Sequence, residues 1–468
     1  MKRLFLLLFL LPFVTAVGQI YNSQNIDLIA RISPDTSATT GSNVNKYSGC
    51  WGWFQAAKNK EYAISGGRNG TYFIDITNPA TPSVSAYVKG VSQECTWREV
   101  KTYQNYCYIA SDVCKPNAFQ IVDMQYLPDS VVVIHSDTTF FTLGHTLWID
   151  QDKLYVASTT FGSGNNKSPL SVWSLADPED PQLLRRIEQD DAVNEVHDMY
   201  VRNDTVYASA GYQGLRIYTF HGDTFVQLGS YNGYNGENTY NHSSFLTDNG
   251  KYLVFCDEVP SGLPIHLVDV GNFENIQPVS KWHPAAKTTP HNPYVIGNKW
   301  VVVSSYQDGL FIYDISLAPT IGLSGYFDTY HQGGDNTGNY GPDTYRGNWG
   351  AYPYLPSGII IANDMQNGVF LLDAADAFNV VHVVGLHDKE KTTNTKVFPN
   401  PVHGELHIDL AAGTKAHVEL RNLLGVLVSE INVSGSGSIN TKDLAPGTYL
   451  LRISSEDAET VRKIIIPQ

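Results

Sequence analysis

Positive charge is scarce in this chain of 468 residues: 31 Lys and Arg stand against 46 Asp and Glu, a formal charge of −15 at pH 7. No local Lys/Arg cluster offsets the excess, so phosphate backbones and anionic lipid are repelled over most of the surface and nucleic acid is not an expected partner. Long segments with apolar residues at i, i+3, i+4 and i+7 are also missing, which argues against amphipathic helices. No apolar run reaches the roughly 18 to 20 residues of a membrane-crossing helix. There is no Gly-x-Ser-x-Gly elbow, no His-Glu-x-x-His and no phosphate-cradling glycine loop, so the common signatures of serine hydrolases, zinc proteases and nucleotide enzymes are absent.

What the sequence does have is aromatic and glycine-rich β material: 12% aromatics, 28 Tyr and 39 Gly. One unit recurs. In residues 289–316 a polar His291-Asn292 pair opens a short strand, a Gly-Asn turn follows, then the apolar run Trp300-Val-Val-Val-Ser and the Gly-headed run Gly309-Leu-Phe-Ile-Tyr-Asp. Related segments begin at Trp51, Trp97, His145, His197, His242, His291 and Trp349, at spacings of 45 to 58 residues. A fourth, more variable strand follows most of them. Four strands in a unit of this length, repeated seven times, predict an all-β fold built as a seven-bladed β-propeller of four-stranded blades over residues 19–388. Two segments compete to complete the last blade: residues 25–33, NIDLIARIS, and residues 380–386, VVHVVGL.

The ends read differently. Residues 1–18 combine Met1-Lys2-Arg3, an apolar run and Ala16-Val17-Gly18, the pattern of a cleaved signal peptide, with no Cys at the cleavage site to carry a lipid. Export permits disulfides. Two pairings are open, Cys50 with Cys95 and Cys107 with Cys114, while Cys256 sits in an apolar strand as a buried thiol. Residues 389–395, KEKTTNT, form a linker, and residues 396–468 alternate short strands with Gly and Pro turns, predicting a small Ig-like β-sandwich.

Two resemblances sharpen this reading. The third-strand cores Phe73-Ile-Asp-Ile, Ile121-Val-Asp-Met, Leu267-Val-Asp-Val and Ile312-Tyr-Asp-Ile resemble the LVIVD repeat, and residues 20–390 resemble the bacterial surface proteins called choice-of-anchor B. Ser174 and Thr219 depart from the motif where Asp is usual. That resemblance implies a propeller outside the cell and no particular reaction. The C-terminal segment, with Pro399-Asn400-Pro401, a central Gly turn, Gly447 and Tyr449 and a basic, apolar last strand, resembles the type A sorting domain of the type IX secretion system of Bacteroidota. It implies passage across the outer membrane, the secretion machinery as partner, and a cell-surface or extracellular destination.

In a propeller the first strand of each blade lines the axis. The seven starts therefore aim four imidazoles and three indoles, Trp51, Trp97, His145, His197, His242, His291 and Trp349, at one rim. Two readings follow: a monomeric, non-enzymatic protein binding an extracellular glycan or protein, or a metal-dependent enzyme in which His145, His197, His242 and His291 hold a divalent ion. Recurrence at one repeat position also fits a structural tie between neighbouring blades. Glu94 and Glu99 beside Arg98 form a further candidate acid/base pair, Asp335 and Asp343 a candidate Ca²⁺ loop, and the carboxylates Asp190, Asp191, Glu195 and Asp198 add negative potential.

Overall fold

The computed structural model describes residues 21–37, 45–92, 94–95, 97–112, 119–162, 166–232, 239–284, 288–330, 345–382, 395–411, 413–422, 426–455 and 459–467. The leader at 1–18, Cys114, Asp335, Asp343 and most of the linker lie outside them. The chain divides into two compact units, 1–382 and 383–468.

The first unit is all-β. Its described strands form six four-stranded antiparallel sheets and one five-stranded sheet. Five of them are meanders of four consecutive strands, as in Tyr47–Gln55, Lys60–Gly67, Gly70–Asp75 and Ser83–Lys89. The first strand of each sheet packs against the first strand of the next, through Arg98–Tyr103, Leu147–Asp150, Asp198–Arg202, Tyr240–Leu246 and Asn292–Ile296 to Asn348–Tyr352, and this last strand packs against Tyr47–Gln55. The contacts close on themselves.

Burial follows from that arrangement. Middle strands are covered on both faces and read as continuous apolar runs: Val301, Val302 and Val303 are all fully buried. Outer strands such as Val132–Asp137 are largely exposed. In all seven sheets the pairing of the third strand with the outermost one shifts register, for example between Phe73 and Ile74 or between Ile312 and Tyr313. A bulge at this place adds local twist to every sheet.

The recurring acidic residue at the end of the third strand is a turn former. The side chains of Asp75, Asp123, Asp269, Asp314 and Asp373 each accept a hydrogen bond from the backbone N–H two residues on, at 2.8–2.9 Å. Ser174 does the same at 3.2 Å, so the departure from Asp keeps the turn. Gly309 heads a third strand at φ +84°, with Phe327 O only 2.2 Å from where a Cβ would stand. Both facts require glycine there.

The competition for the last sheet is resolved. Asp27–Ile32 pairs with Gly368–Asp373 as its outer strand, joining the two ends of the unit. Ser23–Gln24 adds a short fifth strand to the preceding sheet, beside Gly322–Phe327. Residues 383–386 of the alternative lie outside the described residues, and Val381 is exposed.

The Cys50–Cys95 pairing finds no support. Cys50, Cys107 and Cys256 are buried free thiols, and the Cys95 sulfur lies 3.1 Å from Ser111 Oγ. Cys50 turns toward Gly350 of the neighbouring sheet. Cys107 packs with Val100 and Ile109 in the core, and the other half of its expected pair, Cys114, lies outside the described residues.

The second unit holds seven antiparallel strands in the order Lys396–Phe398, Glu405–Asp409, Ser436–Asn440, Leu427–Ser434, Lys415–Asn422, Gly447–Ser455 and Glu459–Ile466. Leu406, Ile408, Val418, Leu420, Leu451 and Ile464 fill its core. Asn400 ties the Pro399-Asn400-Pro401 segment to the last strand, donating to Lys463 O and accepting from Ile465 N. Tyr449 donates to Ala445 O at 2.8 Å.

Candidate functional site

The starts of the first strands meet in one pocket of the first unit. It encloses about 640 Å³, open solvent at its mouth included. All seven predicted rim residues line it.

Six of them form a continuous row of ring contacts, tilted at 45–59° except for the stacked Trp97–Trp349 pair at 18°. Successive centroids are 4.2 Å apart from His145 to His197, 4.3 Å from His197 to His242, from His242 to His291 and from His291 to Trp349, and 4.6 Å from Trp349 to Trp97. Trp51 stands apart. Strand register explains why: Cys50 pairs with Ser65 as Asn292 pairs with Ser304, so the residue matching His291 is Gly49, two positions earlier. A Cβ on Gly49 would lie 2.5 Å from Arg98 O and 2.7 Å from Glu99 Oε1. Glu99 from the next sheet therefore fills the place of the seventh ring.

The expected blade-to-blade tie is present. His197 Nδ1 donates to His242 O at 3.2 Å, His242 Nδ1 to His291 O at 3.1 Å, and His291 Nδ1 to Trp349 O at 2.5 Å. A carbonyl only accepts, so Nδ1 carries the proton and each Nε2 keeps a lone pair. Burial, reinforced by the neighbouring imidazoles, pushes His197 and His291 well below the ordinary histidine range. They are neutral. His145 differs: burial alone would lower it, but its Nδ1 contact with Asp112, with Glu99 and Asp198 beyond, holds it above the usual value. One end of the imidazole row therefore holds a proton more readily than the rest.

Deeper residues come from the alternation of the same strands. Trp97, Glu99 and Lys101 lie on one face at period two. Lys101 Nζ sits 3.7 Å from Glu99 Oε2 and 4.2 Å over the Trp51 ring. Burial pushes the Glu99 carboxyl up, against the pull of Lys101. Trp349 Nε1 donates to Glu99 Oε1 at 3.3 Å.

The other predicted groups scatter. Glu94 pairs with Arg68, and Arg98 is a buried structural residue donating to Gly67 O and Ser92 O, so no acid/base pair forms around Arg98. Asp190 is held by Arg185, Asp191 accepts from Tyr218 and Glu195 from Tyr240. Only Asp198 of that group lines the pocket. Sequence reasoning missed Asp112, Lys101 and Glu258. Period two from Trp97 would have found Lys101, but Asp112, just past a second strand, and Glu258, near the end of another, carry no repeat signal.

Comparison with known proteins informs one end of the chain. No curated protein matches. Similar solved structures include the computationally designed Ika8 protein (11% identity, 91% of this chain and 97% of that one, TM-score 0.42). Others are PorZ, a surface component of the type-IX secretion system of Porphyromonas gingivalis (11%, 87% and 64%, TM-score 0.38), and the extracellular domain of BT4673 from B. thetaiotaomicron (10%, 90% and 57%, TM-score 0.46). At these scores they carry no argument. Residues 396–467, by contrast, match the secretion system C-terminal sorting domain. The chain thus ends in a type IX secretion sorting domain, which engages that machinery and marks the protein for the cell surface or the extracellular space.

Proposed function

We propose that the first unit is a seven-bladed β-propeller that works outside the cell as a binding protein, taking a carbohydrate group of an extracellular glycan into its axial pocket. The second unit, an Ig-like sandwich, is the export address. Sequential contact of seven first strands in a closed circuit supports the propeller, and the Tyr449 hydroxyl bonded four residues upstream supports the Ig-like end.

One observation carries the binding reading: rings from six consecutive repeats converge on a single pocket whose wall alternates flat aromatic faces with Glu99, Lys101, Asp198 and Thr146. Sugars present apolar C–H faces and a fringe of hydroxyls, and such a wall offers both stacking and hydrogen-bond partners. The size suits a small group better than a folded protein surface.

Screening the full chain against an array of bacterial and host glycans tests this. At least one class should bind, and Trp97→Ala and Asp198→Asn should each weaken it about tenfold or more. Absence of glycan binding, or binding indifferent to both substitutions, overturns the reading.

A further inference from the structure

We propose that His197, His242 and Glu258 form a binding site for a borderline transition-metal ion, zinc foremost. The proposal stands apart from carbohydrate binding, and either can fail alone.

The donor atoms of these three residues lie within 4.8 Å of one another, with His242 Nε2 3.8 Å from Glu258 Oε2. A tetrahedral zinc ion with bonds of about 2.0–2.2 Å holds such atoms roughly 3.3 Å apart, a small side-chain adjustment away. Orientation is already set. Both histidines spend Nδ1–H on a backbone carbonyl, which fixes the tautomer and turns Nε2 into the ligand atom. Glu258 is steered in the same manner, its Oε1 accepting from the Tyr306 hydroxyl at 2.5 Å while Oε2 faces His242.

A second, independent sign comes from His291, the next ring in the row. It is 1% exposed and its Nε2 has no hydrogen-bond partner, which leaves a buried nitrogen lone pair in the same row of imidazoles, an environment that favours a cation nearby. His145 is not among these donors, its Nδ1 being engaged by Asp112. Two nitrogens and one carboxylate select zinc or its neighbours over calcium and magnesium, which prefer oxygen alone. Three protein donors leave a position open toward the pocket.

A rival group exists in the second unit, His417, Glu419 and Glu430. There Glu419 is already engaged by Arg421 and Arg452, whose charges oppose a cation.

The full chain, stripped with chelator and dialysed, is titrated with zinc chloride by calorimetry and with cobalt chloride by visible absorption. Expected are one zinc equivalent, the intense bands of tetrahedral cobalt, and no response to calcium or magnesium. His242→Ala and Glu258→Gln should each weaken zinc binding at least about tenfold, and His417→Ala should leave it unchanged. Glu258→Gln keeps an acceptor for Tyr306 and so guards against loss through misfolding. No zinc uptake, uptake unaffected by both pocket variants, or uptake lost in His417→Ala overturns the proposal.

Discussion

Glu99→Gln isolates the most unusual charge in the pocket. The Glu99 side chain is only 16% exposed, accepts from Trp349 at 3.3 Å, and lies 3.7 Å from the Lys101 ammonium, with Asp198 and His145 also acting on it. Burial raises its pKa, which means that the carboxylate is worse off here than in water. A glutamine retains an acceptor for Trp349 and removes the buried charge, worth about 1–3 kcal/mol; losing the Lys101 pairing returns up to about 1 kcal/mol. The net expectation is a gain of about 1 kcal/mol at pH 7. Its pH signature follows from linkage. With the folded pKa above the unfolded value, the stability tied to Glu99 is fully present below pH 4.5 and is lost as pH rises through the folded pKa. Glu99→Gln should therefore match the wild type near pH 4 and exceed it increasingly at higher pH. Urea unfolding of the two proteins between pH 4 and 8 is the assay. A variant less stable at pH 7, or a difference that does not grow with pH, refutes the reasoning that Glu99 is kept at a cost to stability for the sake of the pocket.

Asp112→Asn should lower the His145 pKa in NMR titration. Because that pKa is raised, the stability it contributes is present below about pH 6.5 and fades as pH climbs through the folded value, so the variant should differ from wild type most at acid pH. Gly309→Ala, at φ +84° and facing Phe327 O, should cost about 1–3 kcal/mol by chemical denaturation. Removing residues 21–33 takes away the outer strand at Gly368–Asp373, and limited proteolysis should then cut first within residues 345–373. Deleting residues 396–467 should leave the first unit folded by circular dichroism yet retained inside the cell on fractionation, since the sorting domain is a separate compact unit.

The strand framework was legible because it rests on local chemistry repeated seven times. Apolar runs such as Trp300–Ser304 can only be middle strands, and glycine at 309 can only be a tight entry into one. Ring closure was half legible: residues 25–33 alternate like an outer strand, but pairing between positions nearly 350 apart is a tertiary choice. The site was less legible still. Trp51 looks like a repeat start by residue type, and only strand register reveals that Gly49 holds the equivalent place. The Cys50–Cys95 expectation failed for the same reason, since proximity in the repeat does not say which way a sulfur points.

Repetition places a ring at the same position in sheet after sheet, and a fully symmetric arrangement would give a featureless collar. Function enters where symmetry is broken. Glycine at 49 opens a gap that Glu99 enters, indoles at 97 and 349 stack flat at 18°, and Asp112 holds the pKa of His145 up at the far end of the row while burial pushes those of His197 and His291 down. The carboxyl of Glu258 enters beside His242 and His197. Each departure changes the pocket's charge or donor set without disturbing the carbonyl ties between neighbouring sheets. Substituting the departures should therefore alter binding at little cost in stability, whereas substituting the shared ties should do the reverse.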